Sequence, residues 1–239
     1  MNKTFLFLFL ATILFGISGA FQSSEKPDSI YFASLNGNIQ SGQYDGIIQV
    51  KELLRHGDFG IGNEEKLKSE VVVLDGVAYG AKADGNASAL SGNASVSYAV
   101  VKFFRADTAL IFKEELSYKE LKKKLDSLMN GNSFVAIKVT GSFLKLKYRN
   151  FYRQEKPYKP LQEALFNTLN KENIQGTMVG YYTPNADAIV SNPRYQFHVI
   201  SSDKMTGGRV LDATILNGKI EVDYSEQLFV TLPKQKSGE

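Results

Sequence analysis

A chain of 239 residues with 43% hydrophobic composition can bury a sizeable core, as one large domain or two small ones. Its net charge of +3 is too small and too scattered for a nucleic-acid surface, and the absence of cysteine excludes disulfides, lipoprotein acylation and thiolate metal sites. With two histidines, His56 and His198, imidazole chemistry has few places to sit.

Residues 1–20 read as a secretory leader. Lys3 gives a positive start, Phe5 to Ile17 is an apolar run short for a spanning helix, and Ser18-Gly19-Ala20 offers small residues for cleavage. The mature chain is therefore expected to be exported, periplasmic or secreted, and free of the membrane after cleavage. A polar linker over 21–28 precedes a domain over 29–239, expected as two β-rich subdomains meeting near 130–150.

"SIYFASLNGNIQSGQYDG" reads as a strand and turn, and "IIQVKELLRHG" as a helix with Ile48, Val50, Leu53 and Leu54 on its apolar side, stopped by Gly57. "EVVVLDGVAYGA" is a hairpin turning at Asp75-Gly76. "ADGNASALSGNAS" reads as an exposed loop, and "VSYAVVKFF" as the next strand. Ser117 and Glu120 form a capping box opening a helix with Tyr118, Leu121, Leu125 and Leu128 as its stripe. Lys122-Lys123-Lys124 is its solvated face, and Asn130-Gly131-Asn132 its end.

"SFVAIKVTGSFLKLKYR" predicts a long strand irregular near Gly141, and Pro160 predicts a short helix containing Leu161, Leu165 and Leu169. Four further strands follow, with hairpin turns expected at Gly207-Gly208 and Asn217-Gly218. Strands outnumber helices without strict βαβ alternation. The class is α+β, β-rich, with two packed mixed sheets and a few helices.

Alternation along "YQFHVIS" puts Gln196 and His198 on one strand face, and the return after the glycine pair brings Arg209 back beside them. That is the layout of a three-ligand metal site with one good ligand. The blocks "ELLRHGDFGIG", "EVVVLDGVAYGA", "GSFLKLKYRNFYRQEKPYKPL", "NIQGTMVGYYTP" and "YQFHVISSDKMTGGRVLD" resemble, in order, those of the alpha-acetolactate decarboxylases. The similarity runs from about Gln49 to Tyr224, and Gln154-Glu155-Lys156-Pro157-Tyr158 and Gly207-Gly208 are its most specific pieces.

The resemblance implies that fold, a homodimer, and decarboxylation of 2-acetolactate to acetoin on zinc held by three histidines. Those three positions are Gln196, His198 and Arg209 here. It further assigns Glu70 and Arg149 as catalytic residues, and Asn63, where the family carries threonine, with Arg149 and Arg209 as substrate contacts. A further glutamate near the family's C-terminus has no evident counterpart.

Zinc takes neutral imidazoles or anionic ligands around an open position. Gln196 offers a weak amide oxygen, and Arg209 offers no lone pair. A guanidinium about 4 Å from a dication costs roughly 8 kcal/mol at an effective dielectric of about 20. That removes much of the affinity, on the order of 10–16 kcal/mol, that a full structural ligand set provides. The expectation is a site without zinc, an Arg209–Glu70 ion pair, and a small keto or hydroxy carboxylic acid as partner. Family activity is then reduced or altered. The alternative is an exported, metal-free pseudoenzyme binding such an acid.

Overall fold

Glu70 to Leu74 is apolar at four successive positions because both faces of its strand are covered. Val72 and Leu74 join the core between two sheets, while Val71 and Val73 pack against Val50 and Leu53 on the outer side. The computed structural model describes residues 28–129, 134–184 and 194–233. The expected leader and the Asn130-Gly131-Asn132 helix stop lie outside the described residues.

In chain order the strands are β1 Ser29–Ala33, β2 Ile48–Gln49, β3 Phe59–Glu64, β4 Glu70–Leu74, β5 Val77–Ala81, β6 Ala87–Ala89 and β7 Ser95–Lys102. Then come β8 Thr108–Phe112, β9 Leu116–Ser117, β10 Phe134–Phe151, β11 Phe166–Thr183, β12 Arg194–Ser201, β13 Gly207–Ser225 and β14 Gln227–Thr231. The helices are α1 Asn36–Gln40, α2 Val50–Leu53 and α3 Tyr118–Asp126.

The first sheet has the order β14-β1-β7-β3-β4-β5-β6, with β2 also on β7. Only β1 and β14 pair in parallel, so this sheet is mixed. The second sheet, β10-β11-β12-β13-β8, is antiparallel throughout, and β10 also pairs with β13. That extra pairing closes β10 to β13 into a ring. Phe197, Val199, Tyr148 and Val210 fill its interior, and Leu121 and Leu125 of α3 pack against them.

Its other face meets the first sheet through Phe134, Ala136, Phe151, Val179, Tyr181 and Ile200. Tyr181 donates its hydroxyl to the Phe59 carbonyl across this interface, 2.9 Å. At one end, fully buried Lys102 of β7 is held by Asp223 and by Ser225 Oγ at 2.7 Å, both on β13. With Asp28 Oδ1 also 3.0 Å from its Nζ, this buried cation ties the two sheets together.

The expected β-rich architecture with few helices is observed. Asp75 and Gly76 turn at φ 52° and 77°, as a primed hairpin requires. The Ser117/Glu120 capping box forms with both bonds present. Other local readings need correction. Asn217-Gly218 is not a turn, because β13 runs through it. Gly218 sits opposite Gly141, where a Cβ on either glycine would strike backbone of the other strand, and β10 shifts register just beyond.

The helix after Pro160 is one 3-10 turn, Leu161–Glu163. Phe166 onward pairs with β10 instead, leaving Leu165 71% exposed. The "IIQVKELLRHG" helix shrinks to α2 because Ile48 and Gln49 pair with β7. Where a turn was expected after β1, α1 forms.

Candidate active site

Parity along each strand decides which side chains face the space between the sheets. On β3, Asn63 follows Phe59 and Ile61; on β4, Glu70 precedes Val72 and Leu74; on β10, Arg149 precedes Phe151. On β12, Gln196 and His198 precede Ile200. Each of these apolar partners belongs to the inter-sheet core, so the polar residues share its face.

Register then sets neighbours. Asn63 is opposite Glu70 in the first sheet. In the second, His198 is opposite Arg209, and Arg209 is opposite Arg149. Arg209 therefore stands between His198 and Arg149 in one cross-strand row.

Glu70, 1% exposed, is the acid facing this row. Its Oε2 accepts from Asn63 Nδ2 at 2.7 Å, and its Oε1 lies 3.4 Å from Arg149 Nη1. The expected Arg209–Glu70 pair is not found among the described residues; Arg149 is the partner. Its guanidinium is seated 4.1 Å from the Phe151 ring centre and 5.1 Å from that of Phe166. These rings steer it toward Glu70. The sequence reading missed both phenylalanines, although Phe151 lies on the face of Arg149 by simple alternation.

His198 is fully buried. Its Nδ1 lies 3.0 Å from the Val71 carbonyl, which can only accept, so Nδ1 carries the ring proton. Nε2 has no hydrogen-bond partner among the described residues, and Glu70 Oε2 is 3.6 Å from it. Burial, then Arg209, pushes the imidazole down to about 3, so it is neutral at ordinary pH. Burial raises the Glu70 carboxyl above its usual range, against the pull of Arg149, Arg209 and Asn63. Two guanidiniums face one carboxylate here, leaving positive charge in excess.

The residues present do not fit zinc. His198 Nε2 is a free, buried lone pair suited to a metal, but it is the only imidazole in the row. Its cross-strand neighbour is a permanent cation with no lone pair. Gln196 shares the face with an amide alone.

The turn before Arg209 also differs from expectation. It spans Ser202–Thr206, with Asp203 Oδ1 accepting from Ser201 Oγ at 2.5 Å and Met205 N at 3.0 Å. Gly207 and Gly208 already belong to β13, and the asparagine-like turn chemistry sits in Ser-Asp-Lys instead. Gly208 has φ 154°, and a Cβ there would overlap the Asn150 side-chain oxygen. Asn150 Nδ2 donates to the Lys82 and Gly207 carbonyls at 2.7 and 2.9 Å, so it has no room to retreat. Gly208→Ala is expected to cost about 1–3 kcal/mol by overpacking, read as a lowered denaturation midpoint in urea. An unchanged midpoint would refute the crowding.

The sequence profile of the alpha-acetolactate decarboxylase family matches residues 30–238. The chain is 36% identical over 214 residues to the alpha-acetolactate decarboxylase of Methanosarcina mazei, covering 88% of this chain and 74% of that one. To that of Lactococcus lactis subsp. cremoris it is 38% identical over 201 residues, covering 83% and 85%. The crystal structure of alpha-acetolactate decarboxylase from Bacillus subtilis superposes with a TM-score of 0.84 at 29% identity, covering 87% of this chain and 90% of that one.

Proposed function

The chain belongs to the alpha-acetolactate decarboxylase family, and on that premise we propose that its site receives a small keto or hydroxy carboxylate without zinc. The family reaction, 2-acetolactate to acetoin and carbon dioxide, is then slowed or altered. The observation that carries this reading is the cross-strand row, with Arg209 between His198 and Arg149. Guanidinium charge occupies the place that the family resemblance gives to a metal ligand.

A carboxylate entering this row meets donors from Arg149 and Arg209 and neutralises their excess charge. When the bond to the carboxyl carbon breaks, its electron pair moves to the ketone as an enolate, and carbon dioxide leaves. The guanidiniums stabilise that oxyanion, less strongly than a dication would. Burial raises the Glu70 carboxyl, and in its protonated form it can pass a proton to the enolate carbon and leave the ketone. Asn63 fixes the carboxyl through its 2.7 Å bond.

The leader pattern of residues 1–20 supports an exported protein. Family kinship supports a homodimer.

The test is metal content by mass spectrometry, followed by acetoin formation from 2-acetolactate with and without added zinc or chelator. The expected result is far less than one zinc per chain and a slow rate indifferent to both. Binding without any acetoin would assign a binding protein instead. Stoichiometric zinc with chelator-abolished catalysis would overturn the metal-free reading.

A further inference from the structure

The Lys122-Lys123-Lys124 run reads in the sequence as a solvated helix face, and the site between the sheets has no use for it. In the structure this face is one wall of a second cavity. Lys119, Lys122, Lys123 and Asp126 follow the helical repeat along one side of α3, while Leu121 and Leu125 on its other side are buried inside the ring. Arg194 and Tyr195, at the start of β12, complete the lining around about 590 Å³.

Four cations and two acids line this space, and both acids are already committed. Glu120 Oε2 accepts from Ser117 N at 2.8 Å and from Ser117 Oγ at 2.6 Å in the capping box. Asp126 Oδ1 accepts from Arg194 Nη2 at 3.1 Å and from the Tyr195 hydroxyl at 2.8 Å. Of the α3 lysines, only Lys124 has a carboxylate at ion-pair distance among the described residues, Glu114 at 2.9 Å. Lys119 and Lys123 are exposed and one helical turn apart, where like charges repel. Arg194 sits at φ 65°, a backbone conformation that residues with a long side chain rarely adopt.

We propose that this cavity binds the phosphoryl group of a phosphomonoester, held by Lys119, Lys123 and Arg194. A phosphoryl group carries up to about two negative charges and three acceptor oxygens, so it can answer cations arriving from both the helix and β12. A carboxylate has one charge to share among them. Arg194 keeps further N–H donors beyond the one given to Asp126. The volume lies in the range of roughly 300–1,000 Å³ that small-molecule sites occupy, which leaves room for the carbon skeleton bearing the phosphate. A free ester and a phospholipid headgroup display the same chemistry. The inference is independent of the proposed function, because α3 packs on the ring interior and the polar row lies on the inter-sheet face.

The experiment titrates the full protein with glycerol phosphate in ¹H–¹⁵N spectra, and measures its co-sedimentation with phosphatidylcholine vesicles with and without phosphatidic acid. Glycerol phosphate is expected to shift the amides of Lys119 to Lys124, Arg194 and Tyr195 saturably, and added salt should weaken the binding. The double variant Lys119→Gln, Lys123→Gln should bind about tenfold more weakly, with its urea midpoint unchanged. Sedimentation that depends on phosphatidic acid and is lost in the double variant would identify the lipid headgroup as the source; saturable shifts without sedimentation would identify a free ester. Shifts confined to the surroundings of Arg149 and Arg209, binding indifferent to the double substitution, or no binding in either arm would overturn the inference.

Discussion

The double variant Gln196→His, Arg209→His should bind one zinc per chain with an affinity several orders of magnitude above the parent's. Three features of the fold prepare it. Strand alternation keeps 196 and 198 on the inter-sheet face, and residue 209 is directly opposite 198. His198 is already held with Nε2 free by the Val71 carbonyl, the outer-sphere bond that orients metal-binding histidines. Removing the Arg209 guanidinium also lifts a repulsion of roughly 8 kcal/mol toward a dication about 4 Å away. Glu70, 3.6 Å from Nε2, adds a carboxyl at the edge of the site. Titration in chelator-buffered zinc, with metal counted by mass spectrometry, measures the gain. If the double variant binds zinc no better than the parent, the row geometry does not bring three imidazoles to one point.

Arg149→Ala should destabilise the protein by about 3–5 kcal/mol at neutral pH, the usual cost of leaving one partner of a buried pair alone. Glu70 is 1% exposed and the Arg149 side chain 12%, so solvent screens the pair little. The loss of packing on Phe151 and Phe166 adds to the effect. Burial already raises the Glu70 carboxyl, and Arg149 heads the forces that lower it. Without Arg149, its folded-state pKa moves higher still. A folded-state pKa above the unfolded one contributes stability at low pH that is lost as pH rises through the folded value.

The deficit of Arg149→Ala relative to the parent should therefore be small near pH 4.5 and open toward neutrality. His198 acts in the opposite sense. Lowered to about 3, it contributes stability above its ordinary value of 6.5 that is lost as pH falls toward 3. Arg149 is also the least of the forces that hold the His198 imidazole down, so the Glu70→Gln comparison is what isolates the Glu70 part. Urea unfolding at acid and neutral pH checks this, and Glu70→Gln in the Arg149→Ala background should recover most of the neutral-pH deficit. A pH-independent deficit, unrepaired by Glu70→Gln, would contradict the pairing as its cause.

Local chemistry was readable wherever neighbouring residues settle the matter. Asp75-Gly76 accepts positive φ at both central positions, and Ser117 with Glu120 satisfies a helix start from four residues of chain. Alternation alone put Gln196 and His198 on one face, and ordered blocks of similarity pointed to Glu70 and Arg149. Asn217-Gly218 and Pro160 carried equally plain local signals and misled. Long-range pairing with β10 claimed both segments, and its hydrogen bonds outweigh a turn preference of a few tenths of a kcal/mol to about 1 kcal/mol.

Residue order alone settles a β-rich chain, the shared face of Gln196 and His198, and a site with one imidazole where the family resemblance implies three. The tertiary structure is what pairs Arg149 rather than Arg209 with Glu70. That choice depends on two sheets meeting face to face and on Phe151 and Phe166 seating the guanidinium. It likewise decided the His198 tautomer, because the Val71 carbonyl that sets it is 127 residues away in sequence. Strand parity is a property of neighbours along the chain, whereas partner choice across an interface depends on register between distant strands, which no local pattern encodes.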